Sequence, residues 1–197
     1  MNQDLIMQAI QIFDTYDKWD AFIVLSNNIP EIRRRYFERL KSDLTKHFSK
    51  DIAESWSFVA IHNEQYRWYL SEFGYESLGL LWRANDFLLW CNPDKIDANK
   101  VRDLLNTPDF NIIFNCFDNI DSLSNPLHHF VQEKHRYTFR DSTSYSAPDE
   151  DDYNKLAWFA GNKTDELIEL IAIKINKFRT IEITTLIKDL IVKCKKL

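Results

Sequence analysis

The chain has 197 residues, and its 25 basic and 30 acidic side chains give a net charge of −5, so its overall field does not draw in polyanions. Hydrophobic residues make up 45% and charged residues 28%, near the globular average, which excludes disordered and fibrous classes. Only three glycines occur, Gly74, Gly79 and Gly161, and none of their spacings supplies the closely set glycines of a phosphate cradle.

In chain order, residues 2–16 place Leu5, Ile6, Ala9, Ile12, Phe13 and Tyr16 at the three-and-four spacing of a one-sided helix, expected to pack on a sheet. Residues 19–25, W-D-A-F-I-V-L, are short and rich in aromatic and β-branched side chains, which predicts a strand. A helix is expected from Asn28 as N-cap, with Pro30 in its first turn and Glu31 in the capping-box position, its stripe formed by Ile32, Tyr36, Leu40 and Leu44 beside Phe37 and Phe48. The period then changes to two. Strands are predicted at 56–62, 66–73, 78–83 and 87–91, and their connections are too short for crossover helices, so they form an antiparallel meander. Both faces of these strands carry apolar groups, which implies that part of the second face is covered by a helix or another chain.

A short helix is expected over 98–105 and a further strand over 110–117, F-N-I-I-F-N-C-F. Residues 118–153 form an irregular connection rich in Ser, Asn, Pro and Asp. Two helices close the chain, 165–178 after an N-cap at Thr164 and 184–196, with Asp165 and Glu166 at the start and Lys193, Lys195 and Lys196 at the end, as the helix dipole favours. The glycines read as turn residues, Gly74 and Gly79 bracketing one connection and Gly161 marking the break before Thr164. The expected fold is one α+β domain, 1–197: an antiparallel five- to six-stranded meander packed with N-terminal and C-terminal helices.

No apolar run reaches the roughly 18–20 residues of a membrane helix, and Met1-Asn2-Gln3-Asp4-Leu5 has neither the basic start nor the cleavage site of a signal peptide. The expected location is therefore the cytosol, with no membrane partner. Cys91, Cys116 and Cys194 are an odd, scattered set, which fits buried reduced thiols better than disulfides or zinc. No cofactor and no metal is implied.

Four groups of residues could carry chemistry. His128, His129 and His135 lie near Glu133, and on a helix His129 and Glu133 would share a face; His129, Glu133 and His135 are the catalytic candidates, although their spacing matches no zincin signature. Between residues 28 and 50 seven basic side chains meet three acidic ones, a local excess of 7 − 3 = +4, and Arg33, Arg34, Arg39 and Lys46 are the candidate phosphate contacts. Trp56, Trp68, Trp82 and Trp90 fall one per strand, where stacked rings can bind bases or, with fewer flanking cations, pack a core or a protein interface. Trp68, Trp82 and the acidic run Asp149, Glu150, Asp151 and Asp152 are the candidate partner contacts.

The order W-D-A-F-I-V-L-S-N, a long basic helix, a Trp-rich meander and then L-A-W-F-A-G-N-K-T-D-E-L before an apolar helix resembles the region downstream of the nuclease core in PD-(D/E)XK nuclease-like proteins of bacteria and phages. The resemblance covers about residues 19–179. That family's catalytic signature sets carboxylates for Mg²⁺ ahead of a lysine that steadies the attacking water. No Asp or Glu in this chain has a lysine two positions later, so the resemblance implies an accessory or degenerate piece. The leading expectation is a non-catalytic, cytosolic bacterial module that binds another protein, as an immunity or defence component, with homodimerisation compatible. The competing expectation is a nucleic-acid binder or nuclease-like accessory.

Overall fold

The computed structural model describes residues 3–50, 55–62, 65–83, 86–117, 129–132 and 150–196. The chain divides into two compact units, Met1–Arg35 and Tyr36–Leu197.

The first unit begins with helix α1, Gln3–Ile12, followed by helix α2, Tyr16–Asn27. Residues 19–25 therefore lie in a helix, which corrects the expected strand. The local chemistry explains the difference. Thr15 has extended backbone and its hydroxyl accepts from the Lys18 amide at 3.3 Å, an N-cap. Asp14 and Lys18 pair one turn apart at 2.6 Å. Asn28 closes this helix, its side chain donating to the Val24 carbonyl at 2.7 Å and its backbone N–H turned back to Leu25 and Ser26. The expected capping box at Asn28 does not form, and the Glu31 carboxylate instead accepts from Arg34 and Arg35. Those two guanidinium groups hold the Glu31 carboxyl down to about 2.

Helix α3, Ile29–Lys50, enters the second unit at Tyr36. There Phe37, Leu40, Leu44 and Phe48 are buried, a stripe at three- and four-residue spacing in which each side chain contributes roughly 1.5–3 kcal/mol on burial. Strands β1 (Trp56–His62), β2 (Gln65–Leu70), β3 (Gly79–Arg83) and β4 (Asp86–Trp90) follow as consecutive antiparallel neighbours. The short β5, His129–Gln132, adds antiparallel to β4. The α+β class and the antiparallel meander are as expected, but the connected meander has four strands. Residues 110–117 contribute none. Their segment Asn111–Cys116 is a 3-10 helix, and Phe110, Ile113 and Cys116, three apart, are its buried positions, the period of that helix.

Register sorts the side chains. Phe58 lies opposite Trp68, Trp68 opposite Leu80 and Leu80 opposite Leu89, while Tyr66 lies opposite Trp82 and Trp82 opposite Phe87. These residues form the core face, where the Tyr66 and Trp82 rings stack at 5.1 Å. Helix α4 (Ala98–Leu105) adds Val101 and Leu105 to this core. Helices α5 (Glu150–Asn162), α6 (Thr164–Phe178) and α7 (Ile181–Cys194) supply Leu156, Leu167, Ile171, Phe178, Ile187 and Leu190. The Phe178 ring meets Phe117 edge-on at 5.0 Å and Phe87 at 5.9 Å. On the opposite face Arg67, Leu81 and Leu88 are buried as well, in keeping with the apolar groups there.

Three further expectations change. Glu150, Asp151 and Asp152 open helix α5 rather than lying in a loop, and acids at a helix N-terminus suit its dipole. Helix α6 starts at Thr164 itself, with Lys163 in the cap position, and the buried Thr164 hydroxyl donates to the Ala160 carbonyl at 2.7 Å. Helix α7 starts earlier than expected, at Ile181, capped by the Thr180 hydroxyl. Of the glycines only Gly74 sits in a turn; Gly79 opens β3 and Gly161 lies within α5. A Cβ on Gly161 would come within 2.3 Å of the Tyr36 ring, so the missing side chain is what lets α5 lie against Tyr36.

Candidate functional site

Trp68 and Trp82 are 2% and 1% exposed in the core face, so neither ring is presented to a base or a partner. Arg34 and Arg35 share Glu31. Arg39 faces Asp43 at 3.8 Å and donates to the Gly161 carbonyl at 3.3 Å, and Lys46 pairs with Asp43 at 2.9 Å. Arg33 stands on the same helix and also has an interaction partner. Arg34, Arg35, Arg39 and Lys46 thus share two acids at i,i+3 and i,i+4 spacing, and the segment 28–50 keeps its excess of 7 − 3 = +4. His129 lies on β5, whereas Glu133, His135 and Asp149 fall outside the described residues.

The cysteines are all buried and free. Burial pushes the Cys91 thiol up to about 12 and Cys116 and Cys194 up to about 11, so none is a thiolate nucleophile at neutral pH. Among the described residues no three His, Cys, Asp or Glu side chains are grouped to hold a metal, and no helix is long and apolar enough to cross a membrane.

Two cavities were candidates for a small ligand. One of about 260 Å³ is lined by Glu72, Phe73, Ser77, Lys95, Ile96 and Lys196, among others. Several of the charges at it have partners: Lys188 holds Glu72 at 2.7 Å, Lys95 pairs with Glu76, and Lys196 donates to the Pro93 carbonyl at 2.7 Å. The other, about 520 Å³, is an open groove between Asp43, His47, Asp165, Glu166 and Glu169, in which Asp43 already holds Lys46 and Glu166 holds Lys163.

Arg67 is a buried cation that sequence reading did not single out. It is 2% exposed, its guanidinium lies 3.6 Å from the centre of the Trp90 ring, and one amine donates to the Ser77 carbonyl at 3.1 Å. Its Nε has no acceptor. Burial lowers its pKa to about 10, which leaves it charged at neutral pH, and the stack on Trp90 offsets part of the desolvation. Arg67→Lys, which keeps the charge and loses the planar stack, is expected to lower stability by about 1–2 kcal/mol. An unchanged urea midpoint would remove the stack from the account of this face.

The largest departure from ordinary surface chemistry is the α1–α2 pair. No residue of α2 is buried. Met7, Ile10 and Ile12 are 58–62% exposed on and at the end of α1, and Tyr16 reaches 78%, with Trp19, Phe22, Val24 and Leu25 also exposed along α2. Phe13 packs on Phe22 at 4.6 Å and meets Trp19 edge-on at 5.8 Å, so the aromatic rings hold one another in place at the surface. Residues 21–30 contain no charged side chain. With side-chain areas on the order of 150–200 Å², these exposures, summed over all sides of the two helices, come to on the order of 1,000 Å². The signal was present in the sequence as A-F-I-V-L without an interleaved polar residue, the mark of a helix apolar all round, but a strand accounts for the same run.

No protein-family model, curated protein or solved structure matches the chain.

Proposed function

We propose that this chain is a non-catalytic protein-binding module and that its contact surface is the apolar α1–α2 pair. The observation that carries the reading is that α2 buries none of its residues while exposing Tyr16, Trp19, Phe22 and Leu25, aromatic and aliphatic side chains of the kind enriched in interface cores. The burial of Trp68 and Trp82 argues against the sheet as the contact surface. The acids Glu150, Asp151 and Asp152 open helix α5. The net charge of −5 for the whole chain weighs against the nucleic-acid alternative.

The test is recovery of bound protein by the tagged full chain and by a Phe22→Glu/Leu25→Glu double variant. The wild type is expected to retain a polypeptide in stoichiometric amount, another copy or a different protein, and the variant to lose it. Equal recovery by both overturns the reading. Titration with single- and double-stranded DNA and RNA at low salt is expected to be flat, and binding that weakens with salt would favour the alternative.

A further inference from the structure

Resting on the protein-binding reading above, we propose that the α1–α2 surface is occupied by a second copy of this chain. Three observations point to this occupant. A standard interface removes about 800 Å² per partner, and the exposed side chains of α1 and α2, summed over all sides of both helices, come to that order. The surface also lacks a charge pattern that a different partner would have to match. Residues 21–30 carry no charge, and Lys18, the one base among residues 3–30, is already held by Asp14 at 2.6 Å. Two such faces meeting across a twofold axis bring apolar groups against apolar groups. Finally, the anchors are of the kind that serve a self-complementary contact. Trp19, Phe22 and Phe13 form a preorganised cluster, and Met7, Ile10, Val24 and Leu25 are flexible or branched side chains that fill the space around such a cluster. In this arrangement α1 and α2 of each copy together make a four-helix contact, the usual way for amphipathic helix pairs to bury their stripes.

Among residues 3–30 four acids, Asp4, Asp14, Asp17 and Asp20, meet one base, Lys18. Both copies carry these acids, so the association is expected to hold or tighten as salt rises, the opposite of a contact to a basic partner.

The experiment is sedimentation of the full chain from about 1 to 100 μM, where a mass-action dimer changes its populated state. The expected particle has twice the 23.5 kDa chain mass, and Phe22→Glu/Leu25→Glu is expected to weaken the dimer by about 100-fold or more. Because α2 contributes no buried side chain, the variant should keep its far-ultraviolet spectrum. Val24→Ser/Leu25→Ser, which adds no charge, serves as the second variant and is expected to weaken the dimer about tenfold. Ile181→Glu, on a residue 89% exposed at the start of α7, should leave the dimer intact. A wild-type chain that stays monomeric throughout overturns the proposal, whether or not it then binds phosphatidylcholine vesicles. In that event the protein-binding reading stands only if the tagged chain still recovers a different polypeptide through α2. A dimer untouched by either α2 variant overturns both.

Discussion

Replacing Trp68 with alanine is expected to remove about 3–5 kcal/mol of folding stability, the usual cost of deleting a large buried aromatic. The ring is 2% exposed and sits between Phe48, edge-on at 5.2 Å, and Phe58, at 5.2 Å. Its cross-strand neighbours Phe58 and Leu80 belong to the same core, so the cavity would be lined on every side by groups already committed to one another. Trp68→Phe is expected to cost much less. The indole N–H is buried with no acceptor, and removing an orphaned donor recovers part of what the smaller ring loses. Denaturant midpoints of the two variants decide the matter. An unchanged midpoint for the alanine variant would mean that this ring lies at the surface, as a base-stacking or partner-binding role requires.

Gly79→Val is the second large expected effect, a loss of about 3 kcal/mol or more, beyond the usual 1–3 for overpacking. A Cβ at this position would stand 2.5 Å from the Trp68 carbonyl oxygen and 3.3 Å from the Tyr69 Cα. The obstacle is backbone, so no rotamer change relieves it; β2 would have to move, and with it Arg67 and Trp68. Valine's preference for strands works in the other direction but amounts to at most about 1 kcal/mol. For a protein of this size each kcal/mol shifts the melting temperature by about 2–4 °C, so a fall of at least about 6 °C is expected in a thermal scan. A valine variant as stable as the wild type would show that Gly79 does not lie between Tyr69 and Trp90 in the register found here.

The meander was legible because its information is local. Alternation in 56–62 and 87–91, with connections too short for crossover helices, leaves antiparallel pairing as the only short route. The stripe of α3 was legible for the same reason, since Leu40, Leu44 and Phe48 recur at helical spacing. The errors fall on short apolar runs. Residues 19–25 and 110–117 are dense in Phe, Ile and Val, and composition alone does not separate a strand from a helix in such a run. In each case polar residues just outside decided the outcome: Thr15 capping α2, and the Thr107 carbonyl accepting from Phe110 and Asn111 ahead of the 3-10 helix. The candidate surface was missed as a consequence, because a strand at 19–25 would have been assigned to the sheet and counted as core. Arg67 was missed because its role depends on Trp90, two strands away, a pairing that only register reveals.

The absence of a buried residue in α2 has a calorimetric consequence. The heat-capacity change of unfolding comes mainly from apolar surface newly exposed to water, and the side chains of α2 are already largely wet in the isolated chain. A melting curve recorded on a dilute chain therefore reports the unit Tyr36–Leu197 and is nearly silent about α2. Substitutions at Phe22 or Leu25 would pass a thermal-shift screen as neutral while altering the surface on which association depends, so a screen of that kind sorts variants of this protein by the wrong half of its behaviour.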